Sequence, residues 1–373
     1  MINRSLEKQI KEKTGSGKAI IILGGRQTGK TTLLRYLFGN THDVLWLDGD
    51  EPDVRAVFDN PTSTGLKNML GKKKILVLDE AQRIENIGLK LKLITDYIPG
   101  VQVIATGSSS FDLANKINEP LTGRKWEYRL FPLSFSELSS HTSVMEETRL
   151  LGRRIVYGSY PEVINNPGNE KEILKQLTDS FLYKDILMWE GLRKPEKIVR
   201  LLQLLAFQTG SEVSYNELGK NLDLDNQTVE KYIQLLEQTF VIFRMPALSR
   251  NLRKELKKSR KIYFYDNGIR NALIANFNPP ELRNDTGALW ENYFISERMK
   301  YLHYNNMWVN SWFWRTTDQQ EIDYIEECDG KMHAFEIKWN TKLKIRISKL
   351  FLSVYPDSVT TVITPDNYMD FLR

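Results

Sequence analysis

The chain has 373 residues, more than one ordinary hydrophobic core accommodates, so two or three domains are expected. Its composition, 41% hydrophobic and 27% charged, is that of a globular protein, and no apolar stretch approaches the roughly 18 residues of a membrane span. A single cysteine excludes an internal disulfide, and the N-terminus lacks the apolar core of a signal peptide; both favour a cytoplasmic location. The net charge of +5 permits contact with nucleic acid without demonstrating it.

Strands and helices alternate in the first 110 residues. A short charged helix is predicted at residues 4–13, before the first strand. Strands are predicted at 19–23, about 43–48, 74–79 and 101–106. Helical patterns between them indicate an α/β fold with a parallel sheet and helical crossovers.

A phosphate-binding loop follows the first strand. Gly24, Gly29, Lys30 and Thr31 fill the fixed positions of G-x-x-x-x-G-K-[ST], between an apolar strand and a helix. Backbone N–H groups of such a loop wrap a phosphate chain, so the whole run is expected to contact the nucleotide: Gly24, Gly25, Arg26, Gln27, Thr28, Gly29, Lys30, Thr31 and Thr32. Lys30 is expected to reach the β- and γ-phosphates and Thr31 to ligate Mg²⁺. The sequence therefore predicts that ATP binds with Mg²⁺.

Further polar residues follow the later strands. Asp79 and Glu80 end the third strand, where the first is expected to hold Mg²⁺ and the second to polarise the attacking water. Ser108 follows the fourth strand and either senses the γ-phosphate or belongs to an ordinary turn and helix cap. Arg124 is the first candidate for a cationic finger, in cis or on a neighbouring subunit, and Arg129 the second. A solvated surface arginine is the alternative for both.

These motifs together resemble a known family. Gly-Arg-Gln-Thr-Gly-Lys-Thr-Thr, Leu-Asp-Glu-Ala-Gln, Thr-Gly-Ser-Ser-Ser and Leu-Thr-Gly-Arg…Phe-Pro-Leu-Ser-Phe-Ser-Glu are similar to segments of the prokaryotic AAA-type ATPases that carry a C-terminal domain of long-unassigned function. The resemblance implies an ATPase domain followed by a winged helix and a restriction-endonuclease-like domain, with roles in defence, DNA processing or signalling. Thr28 stands where that family usually has a small residue.

Four parts of the chain are predicted on these grounds. They are an AAA-like P-loop ATPase domain (1–140), a helical connector (141–194), a winged-helix domain (195–270) and a PD-(D/E)xK nuclease-like α/β domain (271–373). Ser134 and Glu137 form a capping box that starts a helix near the first boundary. The turn at 157–162 is interpreted as a packed connector that could also close over the nucleotide site.

The third part has the pattern of three helices and a hairpin. Helices are predicted at 198–208, at 215–221 and from 226 onward, and strands at 241–245 and 261–265. Side chains that suit phosphates and base edges lie at the start of the third helix and between the strands: Asn226, Gln227, Thr228, Lys231, Arg250, Arg253, Lys254, Lys257, Lys258 and Arg260. Such a domain either binds DNA or serves as an intramolecular lid with a solvated wing.

The last ninety residues contain a second charged group. Asp329-Gly330 between two strand-like runs predicts a two-residue hairpin in which Cys328 pairs with Lys331. Counting outward from that pair places four charged side chains on one face: Glu321, Asp323, Glu336 and Lys338. Facing carboxylates repel unless a cation lies between them. A basic helix (Lys342, Lys344, Arg346, Lys349) and a strand at 358–363 are predicted to follow.

This Asp…Glu-x-Lys arrangement resembles that of the restriction-endonuclease-like nucleases. The resemblance implies that Asp323 and Glu336 bind Mg²⁺, that Lys338 positions or deprotonates a water, and that Glu291 supplies a further acid. A salt-bridged hairpin and a degenerate site that cleaves nothing are the alternatives. The leading function is ATP hydrolysis coupled to a DNA-acting module. The rivals are an ATP-dependent switch that binds protein partners or copies of itself, and a DNA-binding regulator.

Overall fold

The computed structural model describes residues 2–108, 121–181, 194–248, 260–342 and 347–373. Contacts divide the chain into two compact units, Met1–Pro132 with Gln238–Phe240, and Leu133–Glu237 with Val241–Arg373. The three parts predicted after residue 140 thus lie in one unit. In the ranges described, we find no helix long and apolar enough to cross a membrane.

The first unit is built on a five-stranded parallel sheet in the order β2-β3-β4-β1-β5. The strands are β1 (Ala19–Leu23), β2 (Val44–Asp48), β3 (Ile75–Asp79), β4 (Gln102–Gly107) and β5 (Lys125–Arg129). The helices are α1 (Leu6–Lys13), α2 (Lys30–Phe38), α3 (Pro52–Val57), α4 (Ser63–Leu70) and α5 (Ile87–Tyr97), with a 3₁₀ turn at Ala81–Arg83. Because β4 lies between β1 and β3, the residues that follow β4 are placed between the phosphate loop and Asp79-Glu80.

Burial explains why the inner strands were predictable and β5 was not. Every residue of β1 and β4 is buried, so both read as continuous strand segments. The edge strand β5 reads Lys-Trp-Glu-Tyr-Arg, and only Tyr128 in it is buried. Its alternation of charged and aromatic residues did not indicate a strand of a parallel sheet.

The second unit begins with helices α6 (Phe135–His141), α7 (Val144–Arg149), α8 (Leu151–Tyr157), α9 (Pro161–Asn165) and α10 (Glu170–Phe181). The capping box of Ser134 and Glu137 is confirmed. Within the turn predicted as a packed connector, the Ser159 N–H donates to Asp266 Oδ2 at 2.8 Å. A side chain at Gly158 would collide with the same carboxylate, which explains the glycine.

Three helices and a hairpin follow. They are α11 (Pro195–Phe207), α12 (Tyr215–Leu222), α13 (Asn226–Gln238) and the antiparallel strands β6 (Ile242–Pro246) and β7 (Arg260–Phe264), before α14 (Asn267–Leu273). Residues 249–259, including the predicted basic residues Arg250, Arg253, Lys254, Lys257 and Lys258, lie outside the described residues. Arg260 donates to Tyr215 Oη at 3.2 Å.

The C-terminal part consists of helix α15 (Thr286–Tyr304) and a four-stranded sheet in the order β11-β10-β9-β8. Its other elements are β8 (Asn310–Arg315), β9 (Glu321–Cys328), β10 (Lys331–Ile337), α16 (Lys349–Val354) and β11 (Val359–Ile363), with 3₁₀ turns at Pro280–Leu282 and Tyr368–Phe371. Strands β8, β9 and β10 are antiparallel neighbours, and β11 runs parallel to β10.

The predicted hairpin register is confirmed. Cys328 pairs with Lys331, and the ladder continues to Tyr324 opposite Phe335. Asp329 and Gly330 have φ of 50° and 76°, the left-handed conformations that a two-residue turn requires. The predicted basic helix is only partly correct, because α16 begins at Lys349 and Lys342 lies in a turn. Lys344 and Arg346 fall outside the described residues.

The hairpin β6–β7 is tied to the C-terminal sheet. Ala247, directly after β6, forms a parallel bridge to Phe313 of β8, and the Leu248 N–H donates to the Phe313 carbonyl at 2.6 Å. On the other strand, Lys261 forms an antiparallel bridge to Glu212. The contacts of Ala247 and Leu248 fix the end of β6 beside the sheet that carries the second charged group, and β7 is paired with β6.

Candidate functional site

The loop between β1 and α2 has the backbone geometry of an anion site. Gly29, which caps α2, has φ of 95°, and Gln27 has φ of 55°. A Cβ at Gly24 would lie 2.2 Å from the Leu130 carbonyl oxygen, so only glycine fits there. The chain therefore turns tightly into the α2 N-terminus, whose N–H groups and dipole favour a phosphate.

Lys30 is held inside this loop by neutral acceptors. Its buried ammonium donates to the carbonyls of Gly24 at 2.8 Å and Gly25 at 2.9 Å. A phosphate oxygen is a stronger acceptor for an ammonium than a peptide carbonyl, so these bonds can be exchanged for a ligand. The Thr28 hydroxyl donates to Gly25 O at 2.9 Å, which closes the loop on itself.

Oxygen ligands for a hard cation meet beside the loop. The Thr31 hydroxyl donates to Asp79 Oδ2 at 2.6 Å, and the Thr106 hydroxyl donates to Asp79 Oδ1. A hydroxyl and a carboxylate at this separation are the donor types that Mg²⁺ prefers. The residues present therefore fit Mg²⁺, which Thr31 and Asp79 would hold.

Glu80 is held by two polar side chains at the carboxyl edge of the sheet. Its carboxylate accepts from the Gln82 amide and from the Ser108 hydroxyl, the latter at 3.3 Å. The Gln82 amide also donates to Ser108 Oγ at 3.2 Å. Glu80 itself has φ of 46°, a left-handed conformation that turns the chain sharply after β3.

Three residues of this site were missed by sequence reasoning. The only sequence signal for Gln82 was its place at the end of the motif Leu-Asp-Glu-Ala-Gln. The only signal for Thr106 was that it is a polar residue in an apolar strand. Arg4 gave no signal at all, yet its buried guanidinium donates to the carbonyls of Thr28 at 2.6 Å and Phe131 at 2.7 Å. Arg4 therefore fastens the phosphate loop to the chain that follows β5.

The structure contradicts a finger role for Arg124 within its own subunit. In the parallel pair β1–β5, Ala19 lies opposite Lys125 and Leu23 lies opposite Arg129. Arg124 thus lies at the amino edge of the sheet, six residue positions before the level of Gly24, or about 20 Å at about 3.3 Å per residue. Its Nε pairs there with Asp96 Oδ1 at 2.8 Å, and 47% of its side chain is exposed. Arg129, the second candidate, is exposed at the carboxyl edge beside the phosphate loop.

Asp323, Glu336 and Lys338 are brought together, as the hairpin register requires. Lys338 Nζ lies 2.7 Å from Asp323 Oδ2 and 2.9 Å from Glu336 Oε2. Asp323 Oδ2 also accepts the Ile337 N–H at 2.8 Å. Both carboxylates are buried, and each is paired with the same lysine.

Glu291 and Glu321 are paired with a lysine that the sequence did not single out. Lys261 Nζ of β7 lies 3.0 Å from Glu291 Oε1 and 2.5 Å from Glu321 Oε1. The Tyr263 hydroxyl, two residues further along β7, donates to Glu291 Oε1 at 2.6 Å. No local motif could indicate this contact, because Lys261 and Glu291 are 30 residues apart.

Burial sets the protonation of this cluster. Desolvation raises the pKa of Glu291 to about 7, against the opposing effect of Lys261. Desolvation and the neighbouring Asp323 raise the pKa of Glu336 to about 7. Burial by itself would lower the pKa of Lys261, but the carboxylates of Glu291, Glu321 and Asp323 outweigh it and raise that pKa.

A divalent cation does not fit this arrangement. Among the described residues, no three His, Cys, Asp or Glu side chains form a group able to hold a metal ion. Lys261 occupies the space between Glu291 and Glu321, and Lys338 bridges Asp323 and Glu336. The metal roles expected of Asp323, Glu336 and Glu291 are therefore not supported by the geometry.

Similarity to known proteins agrees with the first site. Residues 16–139 match the family described as an AAA domain. The Walker-type ATPase PABY2304 of Pyrococcus abyssi shares the fold over 74% of this chain and 96% of its own, with a TM-score of 0.50 and 17% identity. Residues 16–139 are therefore similar to an AAA domain, and the five-stranded parallel sheet fits a P-loop ATPase core. The phosphate loop, Asp79 and Glu80 lie within these residues, which we call the AAA domain.

The rest of the chain matches families without a described activity. Residues 148–280 match a domain of unknown function (DUF8612), and residues 286–368 match another (DUF4143). An uncharacterized protein of Mycobacterium tuberculosis is 26% identical over 325 residues, covering 86% of this chain and 70% of that protein. An uncharacterized protein of Haemophilus influenzae is 26% identical over 281 residues, covering 68% and 69%. The similarity therefore extends well beyond the AAA domain.

Proposed function

We propose that this chain hydrolyses ATP with Mg²⁺ in its AAA domain and uses the nucleotide state to switch the segments after residue 133. The observation that carries the hydrolysis is the position of Glu80. Glu80 directly follows Asp79, the proposed metal ligand, and Gln82 and Ser108 hold its carboxylate at the carboxyl edge of the sheet. A base that is held in this way can accept a proton from an attacking water.

Each residue then has a defined task. Lys30 and the N–H groups of residues 24–32 bind the β- and γ-phosphates, while Thr31 and Asp79 hold Mg²⁺. When bound, the metal neutralises charge that develops on the phosphate oxygens. Glu80 orients the water and takes its proton. Ser108, adjacent to Glu80, is positioned to respond to the γ-phosphate.

The test separates binding from turnover. Glu80→Gln retains the size and hydrogen bonding of the side chain but removes its charge, so kcat should fall by about 10² to 10⁴-fold. The affinity for ATP should change by less than about threefold. Glu85→Gln, an exposed residue five positions further on, is the matched control. Hydrolysis by Glu80→Gln at the parental rate would exclude this role for Glu80.

A second proposal concerns residues 195–270, which we propose to be a winged-helix domain that binds DNA. The supporting observation is the order α11, α12, α13 and hairpin β6–β7, together with the bridge from Glu212 to Lys261 as a third short strand contact. Thr228 is not assigned a DNA contact, because its hydroxyl already donates to Asp225 Oδ2 at 2.6 Å, at the start of its own helix. The contacts to DNA would therefore come from Gln227, Lys231 and the basic segment between β6 and β7.

Salt dependence tests this proposal. The logarithm of the DNA affinity should fall linearly with the logarithm of the salt concentration, with a slope of about −0.9 for each phosphate neutralised. Replacing Arg253, Lys254 and Lys257 with alanine should reduce that slope by about 2 to 3. A parent protein that binds no DNA, or a triple variant that binds as tightly as the parent, would favour the lid or a protein-binding switch instead.

We further propose that residues 271–373 have a restriction-endonuclease-like fold, supported by the order of α15, β8, β9, β10, α16 and β11. No cleavage step is assigned to Asp323, Glu336 and Lys338, because the arrangement leaves no place for a divalent cation. The switch proposal therefore rests on ATP hydrolysis and not on nuclease activity.

A further inference from the structure

Arg4 is a buried cation that contacts the phosphate loop through the main chain. Only 6% of the residue is exposed, and its two terminal nitrogens donate to the carbonyl of Thr28 at 2.6 Å and to that of Phe131 at 2.7 Å. The planar fork of a guanidinium holds two acceptors in a fixed geometry, which the single ammonium of a lysine does not do. Arg4 therefore sets the position of the Thr28 carbonyl relative to that of Phe131.

The Thr28 carbonyl belongs to the same peptide unit as the Gly29 N–H. This peptide is trans and planar, so its carbonyl and its N–H point in opposite directions. Because the carbonyl points to Arg4, the N–H points away from Arg4. In the part of the chain that the structure describes, no group accepts a hydrogen bond from the Gly29 N–H. This N–H directly precedes the first N–H groups of α2, which are the donors that such a loop offers to phosphate.

Gly29 does not fix this orientation by itself. Its φ is 95°, and a glycine adopts positive and negative φ about equally readily. Rotation about the bonds on either side of the peptide could therefore turn the N–H out of the loop at little steric cost. The bond from Arg4 to the Thr28 carbonyl opposes that rotation. Arg4 thus supplies a constraint that the glycine lacks.

The second carbonyl held by Arg4 belongs to a segment that also contacts the start of the loop. The Leu130 N–H donates to the Leu23 carbonyl at 2.7 Å, and the Leu130 carbonyl oxygen lies 2.2 Å from the position of a Cβ at Gly24. The chain after β5 therefore contacts the start of the loop directly and its later part through Arg4. Both parts of the loop are held against one short segment.

We propose that Arg4 is a positioning residue of the nucleotide site, which holds the Thr28 carbonyl so that the Gly29 N–H faces the phosphates. In this role Arg4 acts through the main chain and not by direct contact with the nucleotide. The inference rests on the proposed nucleotide site but does not require hydrolysis by Glu80. Arg4 therefore governs the affinity for the phosphate chain and not the chemical step.

The experiment measures the binding of ADP with Mg²⁺ to the full chain by isothermal titration calorimetry, and thermal unfolding shows that each variant is folded. Arg4→Met keeps a long side chain but removes every donor, so the Kd for ADP should rise at least about 10-fold. The kcat at saturating ATP should stay within about threefold of the parental value, because Glu80 and its partners are unchanged. Arg4→Lys retains a cation that can donate to a carbonyl, so its Kd should lie between those of the parent and Arg4→Met.

Lys8→Met is the matched control, because it removes an exposed cation from the adjacent helix α1 and should bind ADP like the parent. A folded Arg4→Met that binds ADP within about twofold of the parent would overturn the proposal. So would a folded Arg4→Lys that binds no more tightly than Arg4→Met, since the loss would then come from packing. If Arg4→Met does not fold, Arg4→Lys decides: a Kd raised about threefold or more with parental kcat supports the role, and a parental Kd contradicts it.

The same titration separates this inference from the proposed function. A parent protein that binds no ADP would overturn the nucleotide site and the role of Arg4 together. A parent that binds ADP, with Arg4→Met binding equally well, would overturn the role of Arg4 alone. Parental hydrolysis by Glu80→Gln would leave the role of Arg4 intact, because the Kd for ADP does not depend on turnover.

Discussion

The AAA domain and the C-terminal cluster each contain a buried lysine, but the two lysines have different partners. Lys30 donates to peptide carbonyls, which a phosphate can displace. Lys261 and Lys338 pair with carboxylates, which already neutralise them. The carbonyl contacts of Lys30 can be exchanged for contacts to an anion, whereas the carboxylate contacts of Lys261 and Lys338 are ion pairs within the chain. A lysine near acids therefore indicates a ligand site only when its own contacts are neutral and exchangeable.

The largest effect that separates the two regions should come from removing each lysine. Lys30→Ala should weaken ATP binding by about 100-fold or more, because two charge-assisted bonds to phosphate are lost. Lys338→Met should leave ATP binding and hydrolysis within about twofold. Titration with a fluorescent nucleotide measures ATP binding in each variant, and phosphate release measures hydrolysis. Loss of ATP binding in Lys338→Met would contradict the separation of the two sites.

The second effect concerns how Glu80 is held. Gln82→Ala removes an amide that donates to the Glu80 carboxylate, so kcat should fall by about 3- to 10-fold, with little change in KM. Steady-state phosphate release measures both constants. An unchanged kcat in a folded Gln82→Ala variant would contradict this role of Gln82.

The third effect compares the two arginines of β5 and its approach. Arg129→Ala should reduce kcat more than Arg124→Ala, because only Arg129 lies at the carboxyl edge of the sheet. Arg124→Ala should change kcat by less than about twofold, as expected of an exposed ion pair. A loss of 10³-fold or more in Arg124→Ala would mean that it acts on a neighbouring subunit, and mixing it with Glu80→Gln protein would then restore activity.

The smallest effect is the pH dependence of the C-terminal cluster. The folded pKa of Glu336, about 7, exceeds its ordinary value of 4.5, so the folded state binds the proton more tightly. Its contribution to stability is fully present below pH 4.5 and is lost as pH rises through 7. The Tm of the parent should therefore fall relative to that of Glu336→Gln between pH 5 and pH 8. A difference in Tm that is constant with pH would contradict the raised pKa.

Local sequence patterns determined much of this protein without reference to its tertiary structure. The phosphate loop, the first four strands, the capping box at Ser134 and the register of the β9–β10 hairpin all follow from neighbours within a few residues. Each of these features can be recognised in a short stretch of sequence. A buried strand is a run of apolar residues, the phosphate loop has glycines at fixed positions, and the hairpin has an Asp-Gly turn. The AAA domain and the pairing of Asp323 with Glu336 on one face could therefore be predicted.

Only the tertiary structure decided which charges meet. The parallel register of β1 and β5 placed Arg124 at the amino edge of the sheet, although the sequence had made it the first candidate for a finger. Arg4 contacts the phosphate loop and Lys261 contacts Glu291, although the partners lie 24 and 30 residues apart in the sequence. No short sequence motif indicates contacts over such separations. Long-range pairing is set by how whole elements pack, and the cost of burying a charge then selects its partners. For that reason the sequence predicted a metal at the second cluster, where the fold supplies a lysine.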